Sequence, residues 1–346
     1  MGWFVERQRD LPWRRNTDPY SILVSEIMLQ QTQVETVIPY YLRFMEAFPD
    51  FETLASAEEE KVLGLWAGLG YYRRAKNLRA CARAVLERHQ GVFPSDKESI
   101  LDLPGVGPYT AGAIMSIALD QPEPLVDGNV ERVLTRVFAV EEDLGRAEGK
   151  KKIWSLADEL VPQKRPGCFN QALMELGATI CKSSTPLCSE CVLISDCLAH
   201  RQGRTRDFPV KSRSRKRSKV KELLLAMESD GKWLVVDSNE EGIYSGLWQF
   251  PWVWIHPASK DKIGLERLCR QFGVSNADLA PVWETRHAVT YRDINTLCFV
   301  LRMPSDFSLT LQEPPIHRWL ELKTLESSPL PAYQKNFLRF LRGESP

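Results

Sequence analysis

The sequence predicts two folded parts: an all-α domain over residues 1–200 and a mixed α/β domain over residues 222–346, joined by a basic linker over 201–221. Three observations predict this. A length of 346 residues accommodates two domains at roughly 100–200 residues each. Apolar residues recur at helical spacing through the first 200 positions, where sustained β alternation is absent. From about residue 222, short runs rich in Val, Leu and Trp read as strands. With 43% hydrophobic and 26% charged residues, the composition is that of a globular protein and excludes collagen, a disordered tail protein and a disulfide mini-scaffold.

The elements follow in order. Asp18-Pro19 is a cap with Pro at the first helical position, opening an apolar-periodic stretch through Ile22, Leu23, Ile27 and Val34. Ser95-Asp-Lys-Glu98 reads as a capping box for a short helix ending at Leu103-Pro104. Tyr109–Leu119 is a small-residue helix, followed by the Pro-broken loop Gln121–Pro124. Val130, Val133, Leu134 and Val137 keep helical spacing, as do Phe169, Leu173, Leu176 and Ile180. In the second part, strands are expected at Leu223–Met227, Trp233–Val236, Trp252–Ile255 and Leu297–Leu301, and helices near Ile263–Phe272 and Tyr333–Arg342.

Forty-five basic and forty-five acidic side chains cancel, but the stretch Arg201–Lys221 holds ten Lys/Arg and one acid, Asp207, enough to attract a polyanion locally. No apolar run approaches the length of a membrane span, and the first residues, Met-Gly-Trp-Phe-Val-Glu-Arg, are too polar for a signal peptide. The expectation is a reducing, cytoplasmic compartment. There Cys81, Cys168, Cys269 and Cys298 read as small buried residues. Cys181, Cys188, Cys191 and Cys197 differ, since they crowd into seventeen residues with the spacing C-x6-C-x2-C-x5-C. Thiolates suit either Zn²⁺ or an iron–sulfur cluster. One Cys-x-x-Cys knuckle where structural zinc sites usually show two favours a [4Fe–4S] cube.

Leu103-Pro-Gly-Val-Gly-Pro-Tyr-Thr-Ala111 is a helix–hairpin–helix signature. Gly105 and Gly107 let the backbone turn and approach another chain, and the next helix aims its first N–H groups at an anion such as a DNA phosphate. The alternative is a plain turn between packed helices. Asp127 reads either as the N-cap of the following helix, a role Asn129 could fill, or as a free carboxylate. Glu26 is either a surface residue or, if desolvated, a general acid near neutral pH. Trp13-Arg14, Gln30-Gln31-Thr32 and Gly68–Arg74 interleave aromatics, amides and cations as nucleic-acid contacts do.

Together these motifs resemble the adenine DNA glycosylases of the MutY family, in the helix–hairpin–helix superfamily that includes endonuclease III. The resemblance rests on Leu-Pro-Trp-Arg14, Ser25–Val34, Gly-Leu-Gly-Tyr-Tyr72, Leu103–Ala111, Val126–Arg132, the Cys181–Cys197 loop and Gly246-Leu-Trp-Gln-Phe-Pro251. It implies double-stranded DNA carrying adenine opposite 8-oxoguanine or guanine as substrate, base flipping, and an abasic product. Glu26 is implied as the acid that protonates departing adenine, and Asp127 as the carboxylate facing the sugar cation, with Tyr109 and Asn129 supporting them. Trp13, Arg14 and Gln171 fall at adenine-pocket positions. Leu29, Gln31, Thr32 and Tyr71 fall where the family contacts the opened duplex. The four clustered cysteines match the superfamily's [4Fe–4S] ligands.

The resemblance further implies a Nudix-like second domain that recognises the opposite base; the Glu-rich hydrolase box is absent. Where bifunctional relatives carry a Schiff-base Lys this chain has Tyr109, which implies a monofunctional enzyme. Where the family carries Phe-Ser-His this chain has Thr285-Arg286-His287. Arg286 cannot accept a hydrogen bond, so Thr285 or His287 is left to meet the N7–H of 8-oxoguanine. A monomer is expected, nucleoid-associated if bacterial. The competing readings are a thymine-glycol type glycosylase/lyase, a non-enzymatic iron–sulfur DNA sensor and an electron-transfer protein.

Overall fold

In the computed structural model Asp18 does cap the helix Pro19–Leu29, its carboxylate accepting from Ser21 N at 2.9 Å. The structure describes every residue except 213–216, 238–243, 245, 276–278, 290, 305–306, 308–315 and 345–346. The chain forms two compact units. The first gathers Met1–Ala57 with Asn77–Ser214, and the second gathers Glu58–Lys76 with Arg215–Pro346.

The first unit is helical throughout its described residues. The apolar stretch expected through Val34 breaks after Leu29: Gln31 adopts a left-handed φ of 57°, and a new helix, Val34–Ala47, starts beyond it. The short helix Lys97–Leu101 is capped by Asp96, which accepts from Ser99 N at 2.8 Å, and not by Ser95. The hairpin then turns at Gly105, whose φ of 79° disfavours any side chain. Pro108–Ile117, Gly128–Val137 and Pro166–Thr179 pack together around Leu125, Val130, Val133, Leu134, Leu173 and Leu176.

The basic stretch is not a linker throughout. Its start is helical (Leu198–Arg201), Phe208 buries itself beside Cys197 and Ala199, and Val210 O accepts from Leu144 N. Two apolar residues among the cations are enough to dock it. Arg204 pairs with Glu141 and Asp207, and Lys211 with Glu131, so part of its charge is answered locally.

The second unit is α/β. Its sheet comprises β1 (Ser218–Ser229), β2 (Lys232–Asp237), β3 (Trp248–Gln249), β4 (Trp252–Ile255), β5 (Trp283–Val289), β6 (Arg292–Arg302) and β7 (His317–Glu321). The order is β3-β2-β1-β6-β5, with β4 added to β1 and β7 to β2. β1 and β6 run parallel, from Ser218 opposite Arg292 to Glu228 opposite Arg302. Leu223–Met227 is buried without interruption because both faces are covered. The helix Asp261–Gln271 lies with Leu265, Leu268 and Cys269 on one core; the helix Ala332–Leu341 buries Tyr333, Phe337 and Leu338.

The segment Glu58–Lys76, expected in the helical domain, packs here because of its own apolar and hydrogen-bonding groups. Tyr72 Oη donates to Leu330 O at 3.2 Å, Gly64 abuts Ser327, and Arg318 pairs with Glu60. No described helix is long and apolar enough to cross a membrane.

The packing sets a test. A Cβ on Gly112 would lie 2.0 Å from the carbonyl oxygen of Pro124, which is backbone and cannot rotate away. Gly112→Ala should therefore destabilise by about 3 kcal/mol, the upper end for overpacking, despite alanine's better helix propensity. A denaturation midpoint equal to the wild type would show that the loop yields freely.

Candidate active site

A cavity of about 460 Å³ opens in the first unit, lined among others by Trp13, Arg14, Glu26, Leu29, Gln31, Thr32, Tyr109, Asp127, Asn129 and Gln171. The break after Leu29 places Leu29, Gln31 and Thr32 on its wall. Ten of the residues singled out from sequence thus converge on one space.

Glu26 is 5% exposed, on a helix whose described core face runs from Tyr20 to Met28. Burial raises its carboxyl from an ordinary 4.5 to about 7. A hydrogen bond donated by Tyr109 Oη to Glu26 Oε2 and the charge of Arg14 oppose that rise, while Asp127 adds to it. Tyr109 Oη also lies 3.6 Å from Met174 Sδ. Burial and the neighbouring carboxylates push the Tyr109 phenol well above its usual range, so it stays a donor.

Asp127 is the N-cap of Gly128–Val137, so the ordinary reading and the functional one fall on the same residue. Its Oδ1 accepts from Asn129 N at 2.9 Å and Val130 N at 2.7 Å, and its Oδ2 from Asn129 Nδ2 at 2.8 Å. Burial raises its pKa and these donors pull it back. Asn129 does not cap. Its Oδ1 accepts from Arg132 Nη2 at 2.7 Å, which fixes the amide with its NH₂ toward Asp127.

Two residues escaped the sequence reading. Glu175, 1% exposed on the cavity wall, takes Arg9 through N, Nε and Nη2 and Arg14 through Nη2, all within 3.1 Å. Despite burial, the two guanidinium groups hold its carboxyl down at about 2. The only trace in the sequence is a lone acid between Leu173 and Leu176 on an apolar helix.

Among the hairpin glycines, Gly105 is sterically fixed as described. Gly107 faces open space and has an ordinary φ of −107°. Neither lines the cavity. Tyr71 belongs to the second unit: it is 46% exposed, with φ 50° and the Arg74 guanidinium 5.5 Å from its ring centroid. Thr285 and His287 also lie in the second unit, on β5.

The four clustered cysteines ring a second cavity walled by Val133, Val137, Leu176, Ile180, Leu187, Leu193 and Ile194. Arg136 Nη1 donates to Cys181 Sγ at 3.4 Å, and Cys197 Sγ donates to Arg136 O at 3.4 Å. Among the described residues no three His, Cys, Asp or Glu side chains close on a common point as one metal ion needs. Four soft donors around an apolar space, with a cation on one sulfur, fit a larger anionic group held by thiolates.

Burial of Glu26 has a sign that can be checked. With the folded carboxyl raised above the unfolded one, ionisation favours the unfolded chain, and stability falls as pH rises from about 4.5 to about 7. Glu26→Gln should therefore be more stable than the wild type at pH 8, by about 2–3 kcal/mol. The advantage should vanish below the ordinary carboxylate range. Equal midpoints at pH 8 would place Glu26 in contact with water.

The comparisons with known proteins follow this geometry. Residues 24–163 match the HhH-GPD superfamily of base excision DNA repair proteins. The human adenine DNA glycosylase is 34% identical over 403 aligned positions, covering 100% of this chain and 74% of its own. A thermostable thymine-DNA glycosylase aligns in three dimensions with a TM-score of 0.53 and 32% identity, over 58% of this chain and 93% of that one. An endonuclease III trapped covalently on DNA aligns with a TM-score of 0.50 and 21% identity, over 58% and 92%, a likeness of fold alone. With a capped carboxylate, a buried acid and a helical hairpin in one helical unit, the match to the human adenine DNA glycosylase over the whole of this chain places it in the family of adenine DNA glycosylases, enzymes of base excision repair.

Proposed function

We propose that this enzyme removes adenine paired with 8-oxoguanine or guanine, by base flipping and acid-assisted cleavage, and leaves an intact strand with an abasic site. The observation that carries the reading is Glu26. A carboxyl raised to about 7 inside a base-sized cavity keeps about half of its population protonated at neutral pH, as a general acid needs.

In this reading Glu26 gives its proton to a ring nitrogen of the flipped adenine. The bond from sugar C1′ to the base breaks with its electron pair leaving on adenine. The Asp127 carboxylate faces the cation left on the sugar until water adds, and Asn129 and the helix N-terminus hold that carboxylate in place. Tyr109 holds the Glu26 carboxyl and, lacking an amine, forms no imine with the opened sugar. Trp13, Arg14 and Gln171 enclose the base, and Leu29, Gln31, Thr32 and Tyr71 meet the duplex around the vacated position. The backbone at Gly105 and Gly107 approaches a phosphate.

Cys181, Cys188, Cys191 and Cys197 would hold a [4Fe–4S] cluster, which when bound supplies four thiolate bonds that close the loop. Iron and sulfide analysis of the purified protein distinguishes it from a single zinc. The second unit is read as a Nudix-like module that inspects the opposite base. The enzyme is read as a monomer acting on double-stranded DNA in the cytoplasm, on the nucleoid if bacterial.

The deciding assay uses duplexes with adenine opposite 8-oxoguanine, guanine or thymine, analysed with and without alkali. Strand breaks should appear only after alkali and only for the first two, and borohydride should trap little protein on DNA. Efficient trapping would move the chain to the glycosylase/lyase reading. Glu26→Gln and Asp127→Asn should each abolish adenine release while mispair binding changes by at most about 1–2 kcal/mol, since both act mainly in the transition state. Release by either variant at near wild-type rate in single turnover would remove that residue from its role.

A further inference from the structure

Tyr71 stands on a loop in a backbone conformation that a tyrosine ordinarily avoids. The loop joins the helices Glu59–Trp66 and Arg73–His89, and three of its residues are left-handed: Gly68 at φ 112°, Gly70 at 70° and Tyr71 at 50°. Glycine adopts this freely. An aromatic residue does not, and keeps it only where the surroundings impose it. The loop is buried except at one place: Trp66 is 0% exposed, Leu69 6% and Tyr72 8%, whereas Tyr71 is 46% exposed.

Arg74 supplies the constraint. It is itself 9% exposed, and its Nη2 donates to Leu69 O at 3.2 Å and to Gly70 O at 3.1 Å. Gly70 O accepts a second bond from Trp66 Nε1 at 3.2 Å. The guanidinium carbon lies 5.5 Å from the centroid of the Trp66 ring and 5.5 Å from that of Tyr71, within cation–π range. The backbone N of Arg74 donates to Tyr71 O at 2.8 Å. On the other side of the loop, Tyr72 Oη accepts from Gly68 N at 3.3 Å and donates to Leu330 O at 3.2 Å. One planar side chain thus grips the two carbonyls that precede Tyr71 and lies over its ring, a combination that a lysine cannot reproduce. Burial lowers the guanidinium to about 10, so the fold maintains a desolvated cation at this turn.

We propose that Arg74 is a positioning residue that sets Tyr71, in the free protein, in the conformation that meets duplex DNA. This rests on the reading of Tyr71 as a duplex contact and adds how that contact is prepared. The strained backbone and the ring orientation are in place before binding, so their ordering does not weigh on association. Arg74, largely withdrawn from the surface, acts through the ring that Tyr71 exposes.

The experiment uses the full chain and a duplex in which 8-oxoguanine faces 2′-fluoroadenosine, whose glycosidic bond resists cleavage. Arg74→Met should weaken binding by about tenfold, as when the competent conformer is no longer the populated one. Arg74→Lys, the milder change, should weaken it in the same direction. Tyr71→Ala should weaken binding at least as much as Arg74→Met, and adding Arg74→Met to it should cost less than about twofold more, because both act through one ring. A merely destabilised protein would lose binding-competent molecules and keep the affinity of the rest. In free protein carrying 3-fluorotyrosine, with Tyr71→Phe supplying the assignment, the Tyr71 ¹⁹F resonance should move in Arg74→Lys while those of Tyr20 and Tyr41 stay. An unmoved resonance, unaltered affinity in both Arg74 variants, or a full multiplicative loss in the double variant would overturn the proposal. If Tyr71→Ala bound as tightly as the wild type, the reading of Tyr71 as a duplex contact would fall, while the resonance would still judge whether Arg74 sets the ring.

Discussion

The cap that Asp127 places on the helix Gly128–Val137 is the constraint on which the first unit's site depends. One carboxylate starts the helix and looks into the cavity, so the backbone cannot shift without moving the site. The same helix then carries two guanidinium groups away from the cavity. Arg132 bonds Asn129 Oδ1, Gly177 O and Cys181 O; Arg136 bonds Cys181 Sγ, Lys182 O, Ser183 O and Phe208 O. Both are half-buried or buried cations satisfied by carbonyls, which are costly to strip and so hold the loop in one place.

The two cavity carboxylates differ because their surroundings differ. Asp127 sits where three N–H groups reach it, which offsets part of its desolvation and leaves its pKa raised; Glu26 has a single phenol donor and an apolar helix around it. Glu175 is the third case, buried beyond both but flanked by two cations, and its pKa moves the opposite way. Environment, not residue type, sets how readily each of these three carboxyls gives up its proton.

Much of this was legible in the sequence where the signal is local. The Asp18 cap, the turn at Gly105 and the apolar run of β1 are short-range patterns, and each is where it was expected, whereas Gly107 has an ordinary φ. The Glu175–Arg9 pair was not legible, since 166 positions separate its members and nothing in either neighbourhood marks the other. β5 and β7 were passed over because they are half-exposed strands without an apolar run, and the pairing that stabilises them comes from β6 and β2. Asp96 displaced Ser95 as a cap through a one-residue choice that hydrogen-bond geometry makes and composition does not.

The domain boundaries show the same limit on a larger scale. Cuts at 200 and 222 divide the chain by composition, but Glu58–Lys76 folds with residues some 250 positions later. Tyr72 finds its acceptor at Leu330 O and Glu60 its cation at Arg318. Removing everything after residue 221 would leave these groups without those partners, so a truncated chain does not isolate the helical unit. Tyr71 rides on this segment, with its backbone in the left-handed region and its loop pinned where Arg74 Nη2 donates to Leu69 O and Gly70 O. A residue expected at the opened duplex is thus shaped by the unit that carries Thr285 and His287, and single substitutions test the second unit where deletion cannot.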